Sequence, residues 1–438
     1  MSHRVYLRKL ILNSIITFAI LIFSRNNCIG QTEDDPFPLF FLQNNLTRVL
    51  VNDNISPPVA SRNYVYPNLA SNYILSKEGS HRNIFSKIDY FPKLIISEKS
   101  KYSKSLAASF AFYTIARKLI YTEKPFTDSF KVLLNWYKKY IDISLFKSSK
   151  LVGIGIAKQV INWMSKDNFL ESRKMNKYIL IKSPDKWQPT PPGYFAAVEP
   201  HWGILRTLAT SKIKDLDKKH SVQYDTSIQS EYNKEAKEVY IIHQNLTDEQ
   251  KQIADFWDCN PFALNNSGHI QTFIKKISPG AHWLNIAIIA CKQNHLNLEN
   301  TSNVITLCAI SIYDSFIHTW KLKYKYNNVR PETYIQNIGM SEVWKPYIQC
   351  PPFPEFPSGH AVISNAAAII LTHYFGENYN FRDDSEVLFG QKIRIFNSFK
   401  EAALEASISR VYGGIHFRSS CNIGNEIGTR IGNFILSK

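Results

Sequence analysis

Three short segments in the last third of the chain carry residues whose types and spacing suit the binding of one small anion. They are Lys323-x6-Arg330-Pro331, Pro357-Ser358-Gly359-His360 and Ser409-Arg410-x5-His416. Three cations gathered around one point need an anion between them. Arg offers a planar fork that meets oxyanion oxygens two at a time, and Lys adds a point charge. Ser358 brings a hydroxyl, Gly359 a main chain that an anion can approach closely, and His360 and His416 two imidazoles. The apolar run 361–375 reads as a helix whose N-terminus turns free amides and the positive end of its dipole toward the same ligand. Such a set suits a tetrahedral oxyanion: phosphate, or its analogue vanadate.

These groups can meet only if helices hold them. Apolar periodicity predicts helices over 301–324, 361–375, 396–409 and 422–436. They place Lys323 near the end of the first, His360 at the start of the second and Arg410 just past the third, with Gly413-Gly414 as a flexible turn toward His416. Upstream, 106–120 has clear helical spacing, 130–143 and 152–164 repeat it, and helical character returns over 227–257 and 281–291. Pro189-Thr190-Pro191-Pro192-Gly193 breaks any helix and marks a connection over 184–201. Alternating strand patterns are few. The expected fold is all-α, packed helical bundles with the oxyanion site in the C-terminal bundle. The chain divides as a signal peptide over 1–30, an N-terminal helical region over 31–200 and a C-terminal helical domain over 201–438 that carries the motifs.

Composition limits the alternatives. A chain of 438 residues with 44% hydrophobic residues can bury a large core. Arg4, Arg8 and Lys9 precede the apolar run 10–23, and Cys28-Ile29-Gly30 offers small residues for cleavage; the pattern is that of an export signal, too short to span comfortably. No later segment has eighteen apolar residues in a row, so no stable membrane span is expected after signal removal. The mature chain would be secreted or periplasmic. The formal charge of +16 falls to +12 once Arg4, Arg8, Lys9 and Arg25 are removed, and the remaining basic residues lack the basic-aromatic repeat of a nucleic-acid module. A positive field that draws small anions is the reading adopted. Five cysteines, Cys259, Cys291, Cys308, Cys350 and Cys421, follow the signal, without the spacing of a disulfide scaffold or a zinc motif.

The three motifs, in this order and spacing, resemble the superfamily that joins vanadium-dependent haloperoxidases with type 2 phosphatidic acid phosphatases. Trp320 before Lys323 and the lead-in Pro351-Pro352-Phe353-Pro354 resemble the haloperoxidase branch. Phe256-Trp257-Asp258-Cys259-Asn260-Pro261 and Pro279-Gly280-Ala281-His282-Trp283 resemble its longer bacterial members. The resemblance implies vanadate as cofactor, held by Lys323, Arg330, Ser358, Gly359 and Arg410 and ligated by His416, the metal ligand. His360 would be the acid-base group. Hydrogen peroxide and a halide, iodide by analogy with bacterial relatives, would be the substrates and hypohalous acid the product. The alternative is a soluble secreted acid phosphatase with His416 as phosphohistidine nucleophile and His360 as general acid. One departure weighs against it. The family's Asp four residues after this His is Ser420 here, which would leave His416 without a carboxylate partner. Asp314 and the pair His282-Trp283 are candidates for supporting groups, with buried structural roles as the alternative. Oligomeric state is not legible in the sequence.

Overall fold

A computed structural model describes residues 33–76, 84–217, 222–267 and 269–438, so the expected signal over 1–30 lies outside the described residues. Helices dominate. Five form the first part: α1 (Phe37–Asn52), α2 (Pro57–Leu75), α3 (Lys104–Leu119), α4 (Glu123–Tyr137) and α5 (Ile143–Met164), followed by the short α6 (Phe169–Lys174). After a long irregular connection come α7 (Glu231–Gln244), α8 (Asp248–Phe256), a hairpin of β1 (Leu264–Ser267) and β2 (Ile270–Phe273), then α9 (Pro279–Gln293), α10 (Leu298–Tyr326) and α11 (Pro331–Asn337). The chain closes with α12 (Gly359–Phe375), the antiparallel pair β3 (Phe381–Asp383) and β4 (Arg394–Phe396), α13 (Phe399–Tyr412) and α14 (Arg418–Ser437).

The axis of the molecule is α10. Its 29 residues would span roughly 43 Å at 1.5 Å per residue, and most of them are buried on every side, as expected of a helix that is apolar all round. Asn297 caps its start by accepting from Asn300 N–H at 2.9 Å. It stops at Asn327, which adopts the left-handed conformation with φ 56° and returns its N–H to Lys323 O. Around α10 pack α2, α9 and α12.

Helix α14 lies along α12 because glycine recurs every fourth residue on its inner face. A Cβ at Gly424 would meet Ala361 Cβ at 2.8 Å, one at Gly428 the Val362 carbonyl oxygen at 2.2 Å, and one at Gly432 Ile369 Cβ at 2.7 Å. The two helices can approach this closely only without side chains there. Their first turns, which carry Ser358 and Ser420, are thereby drawn together, and Ser358 N–H reaches Ser420 O at 3.3 Å.

Several boundaries differ from the periodicity. The stretch 130–143 ends earlier as α4, because the chain turns at Lys138 and restarts with Asp142 capping Leu145 N–H. Helix 152–164 begins nine residues sooner for the same reason. The stretch 227–257 is two helices, divided where Thr247 and Gln250 form a reciprocal capping box. The expected connection over 184–201 is irregular but structural: Trp187 N–H donates to Asn327 O, and Val329 N–H to Asp185 O, which fixes the turn between Lys323 and Arg330. No helix among the described residues is long and apolar enough to cross a membrane.

Candidate active site

Lys323 sits in the last turn of α10, fully buried. Its Nζ donates to Pro354 O at 2.9 Å and Glu355 O at 2.8 Å, and lies 5.2 Å from the centroid of the Phe353 ring. Arg330 enters from the start of α11, where Pro331 occupies the first helical position that has no amide to satisfy. Its Nε and Nη2 donate to Phe353 O at 3.1 and 2.9 Å, and Nη1 donates to Ile415 O at 2.8 Å and to His416 Nε2 at 3.2 Å. Consecutive carbonyls of the proline-rich segment therefore hold both cations.

The third cation comes from the far side. Arg410 lies in the last turn of α13, buried, with Nε donating to Ser409 Oγ at 2.9 Å. Ile415 N–H folds back to Arg410 O at 3.1 Å through Gly413-Gly414. Gly414 has φ +76°, and a Cβ there would lie 3.1 Å from Pro346, so the turn requires glycine. Ser358 caps α12 by accepting from Ala361 N–H at 3.5 Å, which uses an oxygen lone pair and leaves the hydroxyl able to donate as well. The first-turn amides of Gly359 and His360 have no intrahelical carbonyl, and Lys323 Cε lies 3.8 Å from where a Cβ of Gly359 would stand.

His416 is fixed at both nitrogens. Because Arg330 can only donate, Nε2 accepts and Nδ1 carries the proton, which it gives to Glu355 Oε1 at 2.7 Å. Phe417 N–H donates to the same oxygen at 3.2 Å. Burial first, then the charges of Arg330 and Lys323, hold the His416 pKa well below the ordinary imidazole value. The ring is therefore neutral, with the Nε2 lone pair facing Arg330. Burial pushes the Glu355 carboxyl up to about 7, against the pull of Lys323 and Arg330. His360 is likewise held well below the ordinary value, by burial and then by Arg410, and its Nε2 is buried without a hydrogen-bond partner.

Glu355 corrects the sequence reading that His416 lacks a carboxylate. The acid is delivered from 61 residues upstream rather than from the next helical turn. Ser420 Oγ lies beside Glu355 without a hydrogen bond of ordinary geometry. The signal was present as Pro354-Glu355-Phe356-Pro357, a single acid inside a run of proline and phenylalanine. Of the two candidate supporting groups, Asp314 is structural: it accepts from Leu208 N–H, Ala209 N–H and Thr210 Oγ1 at 2.7 to 2.8 Å. His282 and Trp283 lie in α9, and Trp283 Nε1 donates to Ser364 Oγ at 2.8 Å.

All seven sequence-derived site residues come together. Gly359, His360, Arg410 and His416 border one cavity with Trp320 and Phe353, while Lys323 and Arg330 close its floor through Gly359 and His416. The cavity has a volume of about 40 Å³, a few times the roughly 10–15 Å³ that one water needs. It admits small molecules such as peroxide and a halide.

Vanadate fits these donors. Among the described residues none of the three buried cations pairs with a carboxylate within ion-pair distance, and Glu355 is the acid that bears on Lys323 and Arg330. Buried charges are ordinarily paired, since burial of an unpaired ion is expensive. An oxyanion would supply the missing negative charge. Burial first, then Arg330, lowers the Lys323 pKa far below its usual value, which is the strain that such an anion relieves.

Fold and site thus define a helical-bundle enzyme with a buried pocket suited to an oxyanion. The family description "VCPO second helical-bundle domain" matches residues 303–438. A crystal structure of the first bacterial vanadium-dependent iodoperoxidase is 36% identical with a TM-score of 0.83, covering 92% of this chain and 96% of that one. A holo-type bacterial vanadium-dependent chloroperoxidase aligns at TM-score 0.63 with 15% identity, over 88% of this chain and 93% of that one, a likeness of fold alone. The vanadium chloroperoxidase of Curvularia inaequalis is 22% identical, over 31% of this chain and 30% of that protein, so the match spans about a third of that relative's length. The chain belongs to the vanadium-dependent haloperoxidase family.

Proposed function

We propose that this enzyme oxidises iodide with hydrogen peroxide, using vanadate held by Lys323, Arg330, Ser358, Gly359 and Arg410 and ligated by His416. The observation that carries the reading is the pairing of three buried cations that lack a carboxylate partner with a neutral His416 whose Nε2 lone pair is directed among them. The 36% identity to an iodoperoxidase over nearly the whole chain supports iodide as the halide.

When bound, vanadate would supply Lewis-acid activation of peroxide without a change of oxidation state. The protein's part follows from its geometry. Glu355 keeps the proton on His416 Nδ1, so that Nε2 remains a ligand. Lys323, Arg330 and Arg410 would neutralise the negative charge of the anion they hold. His360, neutral and with Nε2 free, can accept a proton from entering peroxide and return it later. Trp320 and Phe353 limit how much water shares the cavity.

A second reading is favoured by Glu355. A carboxylate on the far nitrogen of a nucleophilic imidazole stabilises its cationic or phosphorylated form, so the anion-free site has the parts for phosphomonoester hydrolysis through phosphohistidine at His416, with His360 protonating the leaving group. We also propose export of the chain, which rests on the amino-terminal pattern alone; mass determination of a mature chain beginning near residue 31 tests it.

The deciding experiment prepares phosphate-free enzyme, adds vanadate, and assays iodide, bromide and chloride in parallel beside elemental analysis. Activity that tracks bound vanadium and is greatest with iodide is expected. Full activity in strong chelator with no vanadium present would refute the proposal.

A further inference from the structure

Behind the wall of the active-site cavity lies a second cluster that the oxyanion chemistry does not use. It joins Cys259, from the segment after α8, His282 of α9, and Glu386, from the turn after β3. All three are buried. Their atoms form a triangle: Cys259 Sγ to His282 Nδ1 is 3.6 Å, His282 Nδ1 to Glu386 Oε1 is 3.3 Å, and Cys259 Sγ to Glu386 Oε1 is 3.7 Å. Zinc bonds of about 2.3 Å to sulfur and about 2.0–2.1 Å to nitrogen and oxygen, at tetrahedral angles, give edges of roughly 3.6, 3.3 and 3.6 Å. The triangle has the dimensions of one face of a zinc tetrahedron.

We infer that Cys259, His282 and Glu386 form a zinc site, with Asp383 orienting the histidine and the fourth position left to water. Three further observations support it. His282 Nε2 meets Asp383 Oδ2 at 2.7 Å, and Asp383 Oδ1 is held by Ser385 N–H at 3.0 Å. This leaves Nδ1 for the metal in the carboxylate–histidine–zinc order. The ring is also clamped by Trp257, stacked at 4.5 Å and 17°. Finally, two buried carboxylates face one imidazole, and exchanging the imidazolium and thiol protons for a divalent cation leaves the net charge of the set unchanged, so zinc adds no buried charge. A thiolate, an imidazole and a carboxylate together suit zinc. Zinc is also redox-inert beside a cavity that handles peroxide. Binding releases two protons, that of the Cys259 thiol and that of His282 Nδ1, while Nε2–H stays on Asp383.

The site would brace the cavity. Cys259 borders it, and the Trp257 main chain lies beside His360. Zinc would tie this segment to α9 and to the 386 turn.

The test uses the full chain, stripped with chelator, desalted and titrated with zinc chloride or cobalt(II) chloride in the absence of vanadate. One zinc per chain is expected by elemental analysis, and cobalt should give the strong visible bands of a tetrahedral site with a thiolate-to-cobalt charge-transfer band in the near ultraviolet. Cys259→Ser should abolish the charge-transfer band. Asp383→Asn, which leaves every ligand in place, should weaken zinc about 10–100-fold. No stoichiometric metal in the folded wild type, a charge-transfer band that survives Cys259→Ser, or wild-type affinity in Asp383→Asn would each overturn the proposal. If Cys259→Ser fails to fold, Glu386→Gln should keep the charge-transfer band and lose at least tenfold in affinity; unchanged affinity refutes the site.

Discussion

His416 and Glu355 share one proton-bearing hydrogen bond of 2.7 Å in a fully buried setting, and that bond decides which nitrogen of the histidine faces the cations. The carboxylate is anchored in turn by Phe417 N–H, and the cations Lys323 and Arg330 hang from the carbonyls of its own segment. One short loop thus orients the ligand and places two of the charges around it.

Glu355→Gln keeps the shape of the side chain and removes its charge. The glutamine can present an amide donor to Nδ1 and leave either tautomer in place. Vanadate affinity is expected to fall about 10–100-fold, measured by vanadium content at graded free vanadate. Unchanged affinity would mean that Arg330 alone fixes the tautomer.

Ser420→Asp, on the sequence argument, should raise phosphatase activity by giving His416 a carboxylate. The structure reverses the expectation, because Glu355 already does this and Ser420 stands beside it. A second buried acid would neutralise part of the positive charge that binds the anion. Phosphate and vanadate affinity should drop at least tenfold, about 1.4 kcal/mol, with no gain in p-nitrophenyl phosphate turnover. A clear gain would reinstate the family Asp as the better partner.

His360 and His416 should separate by readout. His416→Ala removes the ligand and with it bound vanadium. His360→Ala should leave vanadium bound and slow iodide oxidation by roughly 10²–10⁴-fold, the usual worth of a positioned acid-base group. Equal vanadium content in both variants would refute the assignment of roles.

Sulfate, which does not titrate near neutrality, can report on the site's own protons. A bound anion raises the pKa values of Glu355, His360 and His416, so binding takes up protons and weakens as pH rises. Glu355 acts above about 7, its ligand-free value, where the free site has lost a proton that the bound site keeps. The two histidines act below the ordinary imidazole range, where their free forms are held neutral. Calorimetry in buffers of different ionisation enthalpy should show net uptake; proton release would contradict this charge arrangement.

Gly428→Ala tests the approach of α14 to α12. The added Cβ would stand 2.2 Å from a main-chain oxygen that no rotamer change can move. Overpacking of this kind typically destabilises by about 1–3 kcal/mol, read as a lower melting temperature. A neutral effect would show that the helices can part without loss.

The helical fold and the seven-residue cluster were legible in the sequence because both depend on local spacing: period 3.6 for the helices, and fixed intervals within each motif. Residues 301–324 and 361–375 fall within α10 and α12. What spacing could not show was partnership across distance. Glu355 reaches His416 through the packing of α12 on α14, and Cys259, His282 and Glu386 meet from three separate segments. The breaks at 138–142 and 245–247 were missed because no proline or glycine marks them; the helices that follow start at the side-chain caps Asp142 and Thr247.

The carbonyls that hold Lys323 and Arg330 have a consequence for selectivity. With both cations tethered in place before any ligand arrives, the cradle needs little rearrangement to accept a tetrahedral anion, and it reads charge and shape, which phosphate and vanadate share. Discrimination is left to the one bond the two anions form differently, that to His416 Nε2. Which anion fills the site would then follow from the strength of that bond multiplied by the ratio in which the surroundings supply the two, so phosphate-rich conditions would leave less of the protein holding vanadate.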